Sequence, residues 1–187
     1  MDNRPDDQEM LAVREGDVGK MGTLFERHHR MLFNFFLRLT GSCNVSEDLV
    51  QEVFFRMLKY RHTYQPENNF MAWMYRVARN AHLDHVRKWK LEVVPDQEEQ
   101  PWEPASKDPD PHQRLEQEQE VGILRRAMGK LPVEKREVLI LSRFQNLKYD
   151  EIADILGCEV GTVKVRVYRA TKELSEIYFQ LSGEKAS

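Results

Sequence analysis

The chain has 187 residues, which is enough for one ordinary domain or two small ones. Charged residues make up 32% of it and no apolar run reaches transmembrane length, which excludes a membrane protein. The polar, acidic start MDNRPDDQEM does not resemble a signal peptide, and the two cysteines, Cys43 and Cys158, lack metal-ligand spacing. We therefore expect a cytoplasmic protein with free thiols.

The net charge of −3 conceals three segments of different sign. Residues 1–90 carry a net charge of +2, residues 91–120 carry −8, and residues 121–187 carry +3. Residues 92–111 also contain five prolines and few apolar side chains, a composition typical of an extended linker. The pattern divides the chain into a domain over 1–90, a flexible acidic linker over 91–117 and a second domain over 118–187.

The first domain has helical periodicity and no sustained strand-like alternation, so we expect an all-α fold. Helices are predicted at residues 8–15, 18–40, 46–60 and 70–90. Gly41 is expected to end the second helix, and Asn44 or Ser46 to cap the third. A polar loop over residues 61–69, here named the 61–69 loop, separates the third helix from the fourth.

The helix predicted over 46–60 has a polar-acidic patch beside an exposed aromatic, which suits a protein contact. The candidate contact residues are Asp48, Gln51, Glu52 and Phe55. An ordinary amphipathic helix explains the same pattern equally well.

The helix predicted over 70–90 carries five basic residues against one acid, Asp84, and includes the aromatics Trp73 and Tyr75. Rings beside arginines suit single-stranded nucleic acid, because bases stack on rings while cations follow phosphates. The alternative is that the rings are core residues and the arginines a solvated face. His82 and His85 lack a third ligand at a convincing spacing, so no metal, cofactor or catalytic site is expected.

The second domain ends in two helices joined by a tight turn at Gly157. Helices over 118–129 and 132–144 precede them, and Pro132 suits a first-turn position. An apolar stripe of the final helix recurs at spacings of three and four and is expected to pack inward: Val160, Val163, Val167, Ala170 and Leu174.

Residues 160–172 contain four basic residues and no acidic one. A helix that is buried on one side, basic on the other and entered through a glycine turn is what a helix-turn-helix protein presents to the major groove. The candidate DNA contacts are Thr162, Lys164, Val165, Tyr168, Arg169 and Lys172. The alternative is a surface helix with a solvated basic face, because this spacing also occurs in unrelated helical proteins.

Four segments, in order, resemble the extracytoplasmic-function (ECF) group of bacterial RNA polymerase sigma factors: DLVQEVFFRMLK, FMAWMYRVARNAHLDHVRK, LPVEKREVLILSRFQNLKYDEIADILG and VGTVKVRVYRATKEL. The resemblance covers nearly the whole chain and implies two helical domains. The first, like sigma region 2, would bind the polymerase clamp and the −10 promoter element. The second, like region 4, would bind the −35 element and the polymerase flap.

The resemblance also implies roles for particular residues. It places Asp48, Gln51, Glu52 and Phe55 against the clamp, and makes the 61–69 loop the pocket for a flipped −10 nucleotide. The −10 candidates are Tyr64, Asn69, Trp73, Arg76, Arg79, Asn80 and Arg87. Departures from frequent family residues at Lys148, Glu159, Val165 and Thr171 leave the −35 sequence open.

The expected function is that of an alternative sigma factor without chemistry of its own. Its implied partners are polymerase core, promoter DNA and an anti-sigma factor, with no small-molecule substrate and a monomer when free or 1:1 with the inhibitor. An inhibitor that holds the domains together is expected to hide both the clamp helix and the recognition helix. The linker is expected to thread toward the active-site cleft.

Two other functions are compatible with parts of the sequence. An autonomous helix-turn-helix regulator would bind a palindrome as a dimer. A nucleic-acid enzyme using His82, Asp84 and His85 would need a metal for turnover.

Overall fold

A computed structural model describes residues 4–65, 69–92, 114–145 and 147–183, and within these ranges the regular structure is helical, with no strand. The predicted all-α fold is confirmed. The helices are α1 (Arg4–Glu15), α2 (Lys20–Thr40), α3 (Cys43–Lys59), α4 (Phe70–Glu92), α5 (Arg114–Lys130), α6 (Val133–Leu139), α7 (Tyr149–Leu156) and α8 (Val160–Ser182).

The N-terminal domain is formed by α1 to α4, with α2 packed against α3 and α3 against α4. Gly41 ends α2 as predicted, because its left-handed backbone (φ 76°) lets its N–H return to the Leu37 carbonyl. The predicted cap of α3 is wrong. Ser42 caps it, since its extended backbone lets its hydroxyl accept the Val45 N–H at 3.4 Å. Ser46 is buried within the helix instead.

The C-terminal domain is formed by α5 to α8, with α5 and α6 both packed against α8. Helix α5 begins at Arg114, inside the stretch predicted as linker, while residues 93–113 lie outside the described residues. Pro132 precedes α6 as its N-cap rather than entering its first turn. The predicted helix over 132–144 ends in a π turn (Ile140–Phe144), in which the Gln145 N–H donates to the Ile140 carbonyl at 3.1 Å.

The two domains pack directly on each other. One continuous apolar cluster runs through both of them, including Tyr75 and Met74 of α4 and Ile140 and Ile152 of the C-terminal domain. Helix α4 lies against α7, and α2 lies against the π turn. The predicted −10 surface on α4 therefore faces the other domain.

None of the helices in the described ranges is both long enough and apolar enough to cross a membrane.

Candidate nucleic-acid and polymerase interfaces

The helix-turn-helix is built by local backbone chemistry. Gly157 adopts the left-handed conformation (φ 64°, ψ 44°), and the next N–H, that of Cys158, donates to the Ala153 carbonyl at 3.0 Å. At the other end of α7, Lys148 offers no side-chain acceptor for capping. Glu151 compensates by reaching back to accept the Lys148 N–H at 2.8 Å.

Helix α8 has the two faces that the sequence predicts. Val163, Val167 and Ala170 are buried and pack toward α5 and α6. Val160 departs from the prediction: it is 39% exposed, because it is the first residue of the helix and lies beyond the packing partners. Tyr168 is 71% exposed. All six candidate DNA contacts are exposed: Thr162, Lys164, Val165, Tyr168, Arg169 and Lys172.

The candidate polymerase contacts share the outer side of α3. Asp48 and Gln51 are exposed, and Phe55 is 60% exposed. Glu52 is different, because its carboxylate accepts the Arg56 Nε–H at 2.6 Å, and Arg56 in turn donates to Asp84 of α4 at 2.7 Å. Glu52 is thus part of a bridge that joins α3 to α4, as well as a member of this surface.

The −10 candidates do not form one open surface. Arg76, Asn80 and Arg87 are exposed on α4. Tyr64 and Trp73 are buried, and their rings meet edge to face with centroids 5.2 Å apart. Neither ring is available for a base to stack on in this arrangement, so a role for them in −10 binding remains a prediction.

Asn69 and Arg79 contact the C-terminal domain. The Asn69 side-chain amide donates to Glu151 of α7 at 2.6 Å, while its oxygen caps α4 by accepting the Met71 N–H at 2.9 Å. Arg79 Nε lies 3.2 Å from the carboxylate of Glu137 on α6. These two −10 candidates are hydrogen-bonded to acidic residues of the other domain.

A cavity of about 260 Å³ lies between α4 and α7. Trp73 and Arg76 line it from α4. The opposite wall carries three carboxylates, those of Asp150, Glu151 and Asp154. Two −10 candidates on α4, Trp73 and Arg76, therefore face acidic side chains at the place where the resemblance to sigma factors would put nucleic acid.

One buried and one half-buried charged residue at the contact between the domains were not singled out in the sequence. Glu137 is 6% exposed, and burial raises the pKa of its carboxyl despite the Arg79 guanidinium beside it. Arg136 donates to the Leu39 carbonyl of α2 at 2.7 Å and to the Gly129 carbonyl at 2.6 Å. Glu137 could have been noticed, because it occupies an apolar position of the helical stripe that continues at Ile140 and Leu141.

His82 lies beneath the same contact and is 4% exposed. Burial lowers the pKa of its imidazole to about 4, and the charges of His85, Arg136 and Arg79 act in the same direction. Within the described residues, no group of three or more potential ligands could hold a metal ion. His82 is therefore interpreted as a neutral histidine buried in the core.

Two family models match the chain. The model described as Sigma-70 region 2 matches residues 24–91, and the one described as Sigma-70, region 4 matches residues 122–174. The matched segments contain α2 to α4 and most of α5 to α8, which are the elements that carry the three candidate surfaces.

Curated relatives extend the similarity over most of the chain. The ECF RNA polymerase sigma factor SigE of Mycolicibacterium smegmatis is 32% identical over 166 residues, covering 87% of this chain and 63% of the relative. The chain thus spans just under two thirds of that protein. The ECF RNA polymerase sigma factor EcfG of Rhodopseudomonas palustris is 35% identical over 145 residues, covering 78% of this chain and 77% of the relative.

A solved structure shares the arrangement of helices. The sigma factor RpoE from Bartonella quintana, in complex with the anti-sigma factor NepR, superposes with a TM-score of 0.66 and 25% identity. The match covers 83% of this chain and 94% of that one. The chain belongs to the ECF family of RNA polymerase sigma factors.

Proposed function

We propose that this sigma factor binds polymerase core through α3 and reads promoters through α8 and α4. The observation that carries the proposal is the exposed outer face of α8, which projects from a glycine turn and bears Lys164, Arg169 and Lys172, with no acidic residue between positions 160 and 172. Its buried stripe fixes the helix on its domain, so the basic face is presented as a rigid unit.

The outer face of α8 suits the −35 duplex. Lys164 and Arg169 can donate to guanine O6 and N7 in the major groove, and Val165 can contact a thymine methyl. The start of the helix, with Thr162 and its backbone N–H groups, suits a phosphate. Glu159 and Val165 shape the sequence that is preferred.

The face of α4 suits the −10 strand once the domains separate. Arg76, Asn80 and Arg87 are exposed already, whereas Asn69 and Arg79 must exchange their carboxylate partners for nucleic acid. The free chain is therefore expected to bind −10 DNA weakly. Polymerase would favour the open arrangement by binding the two domains at separate places, which shifts the population toward it.

The surfaces that an inhibitor would have to cover differ from those expected from the sequence alone. The closed arrangement covers part of the −10 surface but leaves Phe55 of α3 and Tyr168 of α8 exposed. An anti-sigma factor would have to cover α3 itself and compete with polymerase by mass action. The RpoE relative in complex with NepR supports such a partner, with the free chain a monomer in the cytoplasm.

The deciding experiment adds the purified chain to polymerase core and measures transcription from a panel of defined promoters. Promoter-specific initiation that requires both core and the chain supports the proposal. Tight, specific binding to a palindrome without core would instead support an autonomous dimeric regulator. Turnover of nucleic acid that EDTA abolishes would support the enzyme alternative.

A further inference from the structure

Helix α2 contacts the C-terminal domain, although it carries none of the predicted DNA or polymerase contacts. It lies against α6 and against the π turn that follows α6. The side chain of Arg38 and the backbone of Leu39, both in the last turn of α2, meet Arg136 and Phe144 of the other domain. These four residues are named the α2 seam.

One guanidinium of the α2 seam joins the ends of two helices. Arg136 Nη1 donates to the Leu39 carbonyl at 2.7 Å, at the end of α2. Arg136 Nη2 donates to the carbonyls of Gly129 and Leu131 at 2.6 and 3.0 Å, at the end of α5. Carbonyl groups at the end of a helix lack the usual intrahelical donor, and a cation there is favoured by the helix dipole. Arg136 therefore ties α2 of one domain to α5 of the other.

A second contact of the α2 seam runs in the opposite direction, from α2 to the π turn. The guanidinium carbon of Arg38 lies 4.7 Å from the centre of the Phe144 ring, which is the geometry of a cation–π interaction. Arg38 Nη1 also donates to the Asn34 carbonyl at 3.0 Å, so the guanidinium is held on α2. Phe144 remains 46% exposed, which means that its main contact in this region is the one to the other domain.

The α2 seam is better packed than the contact between α4 and α7. Ile140 and Leu141, beside the seam, are buried, and the neighbouring Gln145 accepts the Tyr75 hydroxyl proton at 2.6 Å. The contact between α4 and α7 instead encloses a cavity of about 260 Å³. Atoms that line a cavity lose part of their packing contacts, so this side contributes less to closure for its area.

We propose that the α2 seam is a latch that keeps the free chain closed and thereby inhibits −10 binding in cis, without an inhibitor protein. The inference rests on the proposed function for one point only, that α4 binds the −10 strand. None of the four seam residues is a candidate DNA or polymerase contact. The strength of the latch can therefore change while the residues of both DNA faces stay the same.

Opening of the free chain can be measured without DNA or polymerase. Ala72 of α4 is 5% exposed and lines the cavity against α7. The parent for the test is the full-length chain with Ala72→Cys, in which Cys43→Ser and Cys158→Ser remove the native thiols. A bulky maleimide dye reaches this thiol when the domains separate, so the labelling rate is proportional to the open fraction.

The latch variants should label faster than the parent. Phe144→Ala should raise the rate by about fivefold through loss of the cation–π interaction. Arg136→Met keeps much of the aliphatic packing and removes every donor, and should raise the rate by about tenfold or more, because hydrogen bonds from a charged group are lost. The seam forms between domains, so neither change is expected to alter the helical circular dichroism of Phe144→Ala.

Two controls match the latch variants in chemistry but lie within one domain. Tyr60→Ala removes a ring that is 44% exposed and has Lys59 Nζ 5.2 Å from its centre. Arg126→Met removes an exposed cation from α5. Both should label at the parent rate. Arg136→Met also loses bonds inside the C-terminal domain, so Phe144→Ala decides the question if Arg136→Met does not fold. An unchanged rate for Phe144→Ala, or an equal rise for Tyr60→Ala, would overturn the inference.

Two further assays separate the latch from the proposed function. The affinity of free Phe144→Ala for a single-stranded −10 oligonucleotide should rise by the same factor as its labelling rate, and unchanged affinity despite faster labelling would overturn inhibition in cis. With polymerase core, Phe144→Ala should keep promoter-specific transcription, because core separates the domains in either case. If the wild-type chain with core starts no promoter-specific transcription, the proposed function has failed, while the labelling rates still decide whether the latch exists.

Discussion

Helices α8 and α4 both carry basic faces, but these faces differ in how far the rest of the structure covers them. The face of α8 is open, with Tyr168 71% exposed and Val165 47% exposed. On α4, Trp73 is 6% exposed and Arg79 is paired with a buried carboxylate of the other domain. The predicted −35 face is open in this arrangement, whereas part of the predicted −10 face is covered by the other domain.

The two faces differ because the residues that determine their exposure are separated by different distances along the sequence. The open face depends on the turn at Gly157 and on a stripe of residues within the same helix. The covered face depends on Glu137, Gln145 and Glu151, which lie 58 to 82 positions away from their partners on or beside α4. If the proposed roles hold, the predicted −35 face is preformed, while the predicted −10 face depends on separation of the domains.

The largest effect is expected at the open face. Arg169→Ala should weaken binding of the holoenzyme to the preferred −35 site by about 1–3 kcal/mol if Arg169 makes a bidentate guanine contact. Binding titrations on promoters that vary only at −35 measure it, with Arg126→Ala on α5 as the control for the lost charge. A uniform loss on every sequence would identify Arg169 as a phosphate contact instead.

Weakening the contact that covers α4 should increase the affinity for single-stranded −10 DNA. Glu137→Gln keeps the shape of the side chain and removes the charge that holds Arg79. The free variant should bind a single-stranded −10 oligonucleotide about tenfold more tightly, which corresponds to weakening closure by about 1.4 kcal/mol. Fluorescence anisotropy measures this affinity, and Glu134→Gln, an exposed position on the same helix, should leave it unchanged. Unchanged affinity for Glu137→Gln would mean that closure does not limit −10 binding.

The candidate polymerase contacts on α3 form a second exposed face. Phe55→Ala should weaken the affinity for polymerase core by about 1 kcal/mol or more, because an exposed aromatic is the anchor that such interfaces favour. Tyr60→Ala, an exposed aromatic at the end of the same helix, is the control for a core-binding titration. Glu52→Lys is a poorer test, since it also breaks the bridge through Arg56 to Asp84. Full core affinity for Phe55→Ala would remove this residue from the contact.

Acid should destabilise the covered side progressively as the pH falls from 6.5 to 4. The imidazole of His82 is held neutral with a pKa of about 4, against 6.5 when unfolded, so the unfolded chain gains a proton first as the pH falls. The free energy of unfolding should lose less than about 1 kcal/mol from this group at pH 6, and the loss should grow until pH 4.

Urea unfolding of His82→Gln at several pH values measures this contribution. The variant should show a shallower loss of stability between pH 6.5 and 4, although the buried His28 contributes in the same direction. A wild-type slope for His82→Gln would place the acid sensitivity elsewhere.

The local parts of the fold could be predicted from sequence. Gly41 and Gly157 mark helix ends because their backbone conformations strongly favour glycine, and Val163, Val167 and Ala170 follow the helical period into the core. The cap of α3 was missed because Ser42, Asn44 and Ser46 offer nearly equivalent capping groups. Only the backbone conformation distinguishes among them.

The covered surface could not be predicted in the same way. Tyr64 and Trp73 have the composition expected of a nucleic-acid surface. The Tyr64 hydroxyl, however, donates to Asp7 of α1 at 2.5 Å, and Trp73 lines the cavity against α7, so both partners are distant in sequence. The pairing of Arg79 with Glu137 likewise joins two domains whose relative placement leaves no periodic pattern. The sequence therefore predicts candidate residues for this surface without revealing what covers them.

The π turn at Ile140–Phe144 has an evolutionary consequence. It accommodates one more residue than an α-helical turn, and each helical residue rotates the following side chains by about 100°. This rotation places Phe144 under the Arg38 guanidinium and lets Gln145 accept the Tyr75 hydroxyl proton at 2.6 Å. Deleting a single codon here would rotate the residues that follow and turn both side chains away from the N-terminal domain. Contact between the two domains could thus be acquired or lost in one mutational step.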